Sequence, residues 1–234
     1  MGLVTCPYRG GATRSFAAKL EALGIASDFI PSVLVSRALE GVSFALGSTI
    51  AIPKSVLVEI GGFDPLRNQL ADDFRIGAEV SKAGYEVVLS DYVIENVIGG
   101  ESFKNMLSRR LRWSKTLRVC RPAGYAGAFI THGFALSLIF LCSVGFQSAG
   151  WFTVLVILLI RTSISLFITL RCTDDKNVLR FLPLLPLSDC LNFSLYAMSY
   201  FGDEIVWRGE RFRLFSDGRL EKKLVGADQK GGGI

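Results

Sequence analysis

The polarity of the chain changes sharply near residue 121. Residues 1–121 carry charges among short apolar runs, whereas the next 39 residues, Pro122–Ile160, contain no Asp, Glu, Lys or Arg. A water-soluble domain does not need an uncharged run of that length, but a membrane-spanning region does. The pattern predicts a charged, soluble segment over 1–121, a membrane region over 122–203 and a basic tail over 204–234.

The charged segment has the pattern of an α/β fold. Short apolar runs indicate strands, and amphipathic stretches, several of them ending at glycine, indicate helices. The predicted strands are Gly2–Tyr8, Gly41–Pro53 and Tyr85–Leu89, and the predicted helices are Ser15–Leu23, Lys54–Ile60, Asp73–Ala83 and Ser102–Leu117. Glycines within Gly41–Pro53 indicate that another part of the backbone approaches this strand closely.

Beyond residue 121, three stretches are about long enough to cross a hydrocarbon core of ~30 Å at ~1.5 Å per residue. They are Gly124–Gln147, Gly150–Leu170 and Val178–Phe201. The second contains Arg161, which must reach the interface, pair with an acid or face the interior of a helix bundle. The third contains Pro183, Pro186 and Asp189, which favour a broken, re-entrant or interfacial segment. The sequence therefore predicts two or three membrane helices.

Basic residues just before the first stretch orient the membrane region. They are Arg109, Arg110, Arg112, Lys115, Arg118 and Arg121. Because Lys and Arg flank membrane helices preferentially on the cytosolic side, the charged segment is predicted to be cytosolic. The basic tail obeys the same rule only if the third stretch does not cross completely. Three complete spans would place the tail on the other side, and the sequence leaves both arrangements open.

Composition narrows the function classes. The chain has 234 residues, of which 50% are hydrophobic, with a net charge of +5 and a mean hydropathy of +0.40. This excludes a disordered or collagen-like protein. Five scattered cysteines form no CxxC or Cys/His cluster and predict neither a zinc site nor a disulfide framework. Nucleic acid is not an expected partner, because the basic cluster adjoins a membrane stretch and lacks interleaved aromatic platforms.

Two adjacent carboxylates, Asp72 and Asp73, stand at the start of a predicted helix. An Asp in that position can cap the helix, since its oxygens accept hydrogen bonds from free backbone N–H groups. An ionised Asp there can also act as a general base if an acceptor hydroxyl lies within hydrogen-bond reach. The two residues alone leave both interpretations open.

An R-R-L-R-W motif occupies residues 109–113, on the predicted helix that leads to the membrane region. Residues three and four positions apart share a helix face, so Arg109, Arg112 and Trp113 are expected to point the same way. Two guanidinium groups on one face suit a diphosphate, which they can grip in a bidentate manner. The alternative is a helix that holds anionic lipid headgroups, with the tryptophan as an interface anchor. The single histidine, His132, is expected to be structural.

Taken together and in this order, the motifs resemble one family. The stretches that carry the resemblance are V-T-C-P-Y-R-G at 4–10, F-A-L-G-S-T at 44–49, I-G-G-F at 60–63, L-A-D-D-F at 70–74, R-R-L-R-W at 109–113 and P-A-G-Y-A-G at 122–127. Over roughly residues 2–218 the chain resembles the C-terminal portion of membrane-bound, inverting GT-A glycosyltransferases of the family 2-like type. These are the ceramide glucosyltransferases and the bacterial hopanoid glycosyltransferases. The most specific feature is the acidic pair, followed by R-x-x-R-W and then by membrane stretches.

The resemblance implies a partial GT-A, Rossmann-like catalytic half over 1–121, followed by an α-helical transmembrane region in a bacterial inner membrane. Such enzymes transfer a sugar from a UDP-sugar, usually UDP-glucose or UDP-N-acetylglucosamine, to the hydroxyl of a membrane lipid. The resemblance implies that Asp73 is the general base and that Asp72 is its acidic neighbour. It also implies that Arg109, Arg112 and Trp113 lie near the diphosphate and the acceptor.

One part of the family pattern lies outside this sequence. Family members begin with a membrane span and a nucleotide-binding half that carries a metal-binding DxD motif. The complete enzyme is therefore expected to use Mg²⁺ or Mn²⁺, and no metal ligand is assigned in this chain. A missing N-terminal half is an expected partner, because half of a sheet leaves an open edge and apolar surface.

Two other interpretations stay open. The first is a processive polysaccharide synthase, for which Gln in place of Arg109 and additional membrane spans are typical. The second is a non-catalytic, membrane-anchored remnant or subunit that binds lipid headgroups through its basic helix. Adding the missing half would separate this second interpretation from a split enzyme, because only a split enzyme would regain transfer.

Overall fold

The computed structural model describes residues 1–11, 14–207 and 209–223. These residues combine small sheets with helices, as the α/β prediction requires. The strands are β1 (Leu3–Thr5), β2 (Tyr8–Gly11), β3 (Ile50–Ala51), β4 (Val87–Leu89), β5 (Ile94–Val97), β6 (Glu204–Trp207), β7 (Glu210–Leu214) and β8 (Leu220–Lys222). The last part of the predicted basic tail, 224–234, lies outside the described residues.

The strands form three small sheets in the described part of the chain. β1 lies between β3 and β4, antiparallel to β3 and parallel to β4, with Leu3 opposite Val87. β2 pairs with β5 in parallel, and β6, β7 and β8 form an antiparallel sheet. Since β3 and β4 have no second neighbour among the described strands, the first sheet has two open edges.

The described residues form nine α-helices besides these sheets. They are α1 (Phe16–Gly24), α2 (Ile30–Glu40), α3 (Lys54–Glu59), α4 (Asp72–Lys82), α5 (Phe103–Cys120), α6 (Pro122–Gly127), α7 (Gly133–Ser143), α8 (Ser148–Arg171) and α9 (Leu185–Ser199). A π-helical turn, Ile25–Phe29, joins α1 to α2, and 3-10 segments at Ala128–Thr131 and Val178–Leu184 precede α7 and α9. Ser15 and Ser102 begin α1 and α5, because each hydroxyl accepts a backbone N–H three residues later.

Most predicted elements of the charged segment are confirmed, with ends shifted by a few residues. The predicted strand Gly2–Tyr8 is two strands instead, β1 and β2, because Pro7 has no N–H to continue a ladder. The predicted strand Gly41–Pro53 is wrong except for β3. Its first half is irregular and packs on α4, where Gly77 leaves room for the backbone of Phe44.

The predicted helix Ser15–Leu23 is only the first part of a long apolar helix between β2 and β3. α1 continues through the π-helical turn into α2, and these 25 residues are apolar and long enough to cross a membrane. Both ends nevertheless lie against the ends of α5. Ser15 donates to the carbonyl of Glu101, just before α5, and Arg121, just after α5, pairs with Glu40. The α1–α2 helix therefore runs alongside α5 and does not lead away from it.

The first predicted span, Gly124–Gln147, is broken. α6 with its 3-10 turn and α7 are bent by 56° relative to each other. α8 is a candidate span of 24 residues, and Val178–Ser199 is a candidate of 22 residues even though it contains Pro183. Among the described residues, three helices are thus long and apolar enough to cross a membrane, and the bent pair would make a fourth.

Arg161 lies within this helix bundle and is paired, which is one of the three outcomes that the sequence allowed. Its guanidinium donates to Asp189 of α9 at 3.0 and 2.5 Å and to Asp28 of the π-helical turn at 3.2 Å. Asn192 also donates to Asp28, and Arg110 of α5 donates to Asn192 at 3.0 Å. A continuous polar network therefore joins the apolar helices to α5.

The tail folds back onto the charged segment. Gln69 lies opposite Arg219 in a β-bridge, and the N–H of Leu70 donates to the carbonyl of Gly218 at 3.1 Å. The chain thus leaves the charged segment at α5 and returns to it at β6. The tail therefore lies beside the segment that leads into the acidic pair.

Candidate functional site

Asp73 lies in the first turn of α4, where two backbone N–H groups hold its carboxylate. Gly47 donates to Oδ2 at 2.8 Å, and Phe74 donates to Oδ1 at 2.8 Å. Burial raises the pKa of Asp73, and the neighbouring charge of Asp72 adds to that effect, although the two N–H groups oppose it. Asp72 is exposed, and its Oδ1 accepts the N–H of Asp73 at 3.0 Å. Of the two adjacent carboxylates, Asp73 is therefore the one that the 44–49 loop holds in place.

The loop that holds Asp73 is itself anchored by a buried threonine. The Thr5 hydroxyl is fully buried; it accepts the N–H of Leu46 at 2.8 Å and lies 2.8 Å from the carbonyl of Thr49. These bonds shape the turn that contains Gly47. A Cβ at that glycine would lie 2.8 Å from Oδ2 of Asp73, so only glycine allows this close approach. The sequence predicted close backbone approach in this segment, but it did not identify Asp73 as the group that approaches.

Apolar packing determines where α4 begins. Ile76 and Val80, four positions apart, are buried against Leu3 of β1 and Val87 of β4. Each side chain of this kind contributes about 1.5–3 kcal/mol when fully buried. The polar start of the helix then projects Asp73 beyond the sheet, toward the 44–49 loop.

The first two arginines of the R-R-L-R-W motif, Arg109 and Arg110, form ion pairs with carboxylates. Glu21 of α1 is only 2% exposed, and its two oxygens accept from Arg109 at 3.2 Å and from Arg110 at 2.9 Å. Glu101 also pairs with Arg109. Burial disfavours the charge of Arg109, but the two carboxylates outweigh this and raise its pKa. Arg110, which the sequence analysis left without a role, is buried and also donates to the carbonyl of Leu20 at 2.9 Å.

Arg112 has a different environment. No carboxylate lies within 4 Å of its guanidinium among the residues that the structure describes; the guanidinium lies 5.8 Å from the ring of Trp207 instead. Burial, together with the charge of Arg109, lowers the pKa of Arg112. A cation without a neutralising partner favours an anionic ligand. Trp113 is 37% exposed, and Arg109 lies 5.4 Å from its ring. Arg109 and Arg112, which were expected to share one helix face, therefore contact different rings, those of Trp113 and Trp207.

The fold brings the acidic pair and α5 into one region. Tyr8 is buried at the start of β2, and its pKa is raised by burial and by the charges of Glu21 and Asp73, while Arg109 lowers it. At the far end of α5, burial and then the charge of Asp73 raise the pKa of Cys120 to about 11. The charge of Asp73 thus acts both on Tyr8 of β2 and on Cys120 at the end of α5.

Three residues of this region, Glu21, Arg110 and Trp207, were not identified from the sequence. Glu21 sits in an amphipathic helix, where an acid normally faces solvent. Arg110 looked like one more member of a basic cluster, and Trp207 belongs to a tail with no motif of its own. Charge count could not reveal them, because each acquires its role from a partner more than 80 residues away. His132 packs 4.8 Å from the ring of Tyr196, in keeping with the expected structural role.

The described residues thus combine a held carboxylate, Asp73, with a basic helix and with helices long and apolar enough to cross a membrane. The model of glycosyl transferase family 21 matches residues 1–220, and the chain belongs to that family. The protein is accordingly a glycosyltransferase. No curated protein matches the chain.

Proposed function

We propose that this glycosyltransferase moves a sugar from a UDP-sugar to the hydroxyl of a membrane lipid, ceramide or a hopanoid, with inversion at the anomeric carbon. The observation that carries the proposal is Asp73, a half-buried carboxylate with a raised pKa that Gly47 holds in place, in a segment whose Leu70 packs against Val119 of the basic helix α5. The resemblance of the motifs to ceramide and hopanoid glycosyltransferases supports the choice of donor and acceptor.

In this mechanism Asp73 is the base. Its ionised carboxylate takes the proton of the lipid hydroxyl while that oxygen attacks the anomeric carbon from the face opposite the diphosphate. The N–H of Gly47 holds the carboxylate in place, and the raised pKa makes it a stronger base than an ordinary Asp. Asp72 is the acidic neighbour that helps to maintain this raised pKa.

Arg112 is the guanidinium best placed to meet the departing diphosphate. Negative charge grows on the diphosphate as the glycosidic bond breaks, and a guanidinium that is not neutralised by an acid stabilises that charge. The charge of Arg109 is offset by Glu21 and Glu101, so its role is to hold α5 and to support Trp113. Trp113 then offers an exposed ring to the acceptor.

In this proposal the membrane-contacting helices determine where the lipid acceptor lies. We assign the exposed apolar residues of α7 and α8, such as Ile139, Phe140, Phe152 and Phe167, to contact with lipid acyl chains. Because α5 and β6 both contact the charged segment, we propose that an even number of membrane crossings lies between them. The basic residues of α5 favour a cytosolic site at the inner membrane of a bacterium.

The metal that the resemblance implies has no ligand set here. Among the described residues, no three His, Cys, Asp or Glu side chains lie together as a metal site requires. No step of this mechanism is therefore routed through Mg²⁺ or Mn²⁺. We assign metal and nucleotide binding to a nucleotide-binding part of the complete enzyme, for which β3 and β4 offer open sheet edges.

The test is the Asp73→Asn variant, assayed for transfer of radiolabelled sugar from UDP-glucose or UDP-N-acetylglucosamine to vesicles that contain ceramide or a hopanoid. Loss of a general base lowers kcat by about 10²- to 10⁴-fold, while membrane insertion and folding should stay intact. The matched control is Asp72→Asn, which changes the exposed neighbour. Each protein is assayed alone and with an added nucleotide-binding segment of the family. Turnover of Asp73→Asn near that of the parent would remove Asp73 as the base.

A further inference from the structure

The chain that follows α9 lies along one side of α5. The guanidinium of Arg118 is 5.7 Å from the ring of Tyr200, and the Nζ of Lys115 donates to the carbonyl of Glu204 at 2.9 Å. Arg112 then meets Trp207. Three basic residues, spaced three apart on α5, thus contact Tyr200 and the two ends of β6 in order.

β6 belongs to the sheet β6–β8, and the opposite edge of that sheet contacts the segment just before the acidic pair. The N–H of Leu220 donates to the carbonyl of Asn68 at 2.8 Å, and Leu70 donates to Gly218 at 3.1 Å. Asp72 follows Leu70 by only two residues. The sheet therefore touches α5 through β6 and reaches the start of α4 through β8.

A buried apolar cluster fills the space between these contacts. Leu70, Ile205 and Leu214 are at most 9% exposed, and Val119 of α5 and Phe212 of β7 pack against them. The cluster takes one or more side chains from each of the three parts: the segment before the acidic pair, α5 and the tail. Burial of this kind is typical of permanent packing and not of a passing surface contact.

We propose that β6–β8, the tail sheet, is a fixed clamp that sets the position of Arg112 relative to Asp73. Trp207 is the positioning residue, since its ring orients the Arg112 guanidinium toward the donor diphosphate. The proposal rests on the roles given above to Asp73 and Arg112. A transfer site tolerates little displacement, because a shift of about 1 Å can cost about 10²-fold in rate.

The first experiment compares Trp207→Ala with Trp207→Phe and with Val206→Ala, an exposed neighbour on the same strand. Trp207→Ala should lower kcat/KM for the UDP-sugar by about tenfold to a hundredfold and leave the KM of the lipid unchanged. Trp207→Phe keeps a ring under the guanidinium and should recover most of that loss. Equal effects on donor and acceptor, or no recovery with Phe, would overturn the positioning role.

The second experiment does not depend on activity. Gln69→Cys and Arg219→Cys together place two thiols at the β-bridge, in a non-hydrogen-bonded pair whose Cα atoms are about 4.5 Å apart. That spacing permits a disulfide. The full-length double variant in membranes should form the cross-link under mild oxidation, and the cross-linked protein should transfer as fast as its reduced form. The single Gln69→Cys variant controls for bonds to the five native cysteines.

The three possible outcomes separately test the docking of the tail sheet, its immobility during turnover and the proposed transfer activity. Failure to form the cross-link would overturn the docked tail sheet. A cross-link that stops transfer until a reductant is added would mean that the tail moves during turnover, which overturns a fixed clamp. A cross-link that forms in a chain whose parent transfers no sugar, even with the added nucleotide-binding segment, counts against the proposed function and leaves the docking of the tail demonstrated.

Discussion

The two halves of the basic motif on α5 hold their arginines in opposite ways. Arg109 and Arg110 share the buried carboxylate of Glu21, and Arg110 continues into the polar network of the apolar helices. Arg112, one turn later, has no acid within 4 Å among the described residues and faces an aromatic ring. The same residue type, within four positions, is paired with a buried carboxylate in one case and lies over an aromatic ring in the other.

The difference shows that partners, and not charge, decide what a basic residue does. A buried ion pair is costly to break, because removal of one member leaves the other charged and desolvated. An arginine over a ring is stabilised less by its partner than a paired arginine is. Because the ring does not offset its charge, the guanidinium can still pair with an anionic ligand. The predictions below test this contrast by making matched substitutions on the two sides.

Stability should respond most strongly to Arg110→Met. The substitution removes hydrogen bonds to Glu21, Asn192 and the carbonyl of Leu20, and breaking a buried pair typically costs about 3–5 kcal/mol. The matched control is Arg118→Met, which loses a cation–π contact of about 0.5–1 kcal/mol. Denaturant unfolding in detergent micelles measures both. Equal losses for the two variants would contradict the contrast.

Activity should respond most strongly on the other side. Arg112→Gln should lower kcat/KM for the UDP-sugar by about 10²-fold, as removal of one transition-state donor does elsewhere, with little effect on lipid binding. Arg109→Gln should affect stability more than donor use, since its guanidinium is already paired. Steady-state kinetics with varied donor and varied acceptor separate these effects. An unchanged donor KM and kcat in Arg112→Gln would defeat the assignment.

The pH dependence of transfer provides a smaller effect. Asp73 must be ionised to act as the base, so activity is lost as the pH falls through its pKa. Because burial and Asp72 raise that pKa, the acid limb should lie above about 3.9, the value of an ordinary Asp. Asp72→Asn removes one of the raising charges and should move the limb to lower pH. A limb that does not move in this variant would contradict the proposed coupling.

The smallest effect is expected from an exposed ion pair in the tail sheet. Asp203→Asn breaks the pair with Arg213, whose members are both about half exposed or more. Exposed pairs contribute little because water and salt screen them. Unfolding and transfer should both match the parent protein. A clear loss of stability would show that exposure does not separate the strong pairs from the weak ones in this molecule.

The local features of the site were predictable. The start of α4 within one residue of Asp73, the basic helix before the membrane region and the close approach of the 41–53 segment follow from the acidic pair, periodicity and glycines. The broken first span and the long α1–α2 helix were not predictable by the same means. Length and apolarity alone cannot tell a helix that crosses a bilayer from one that runs alongside α5.

The sequence by itself therefore determined the classes of element and the residues able to carry chemistry, Asp73 and Arg112 among them, because those follow from side-chain type and short spacing. Only the tertiary structure decided which of these residues are available. The pairing of Glu21 with Arg110, the approach of Gly47 to Asp73 and the return of Trp207 to Arg112 join positions far apart in the chain. Such contacts depend on how apolar faces pack together, and no local pattern records that packing.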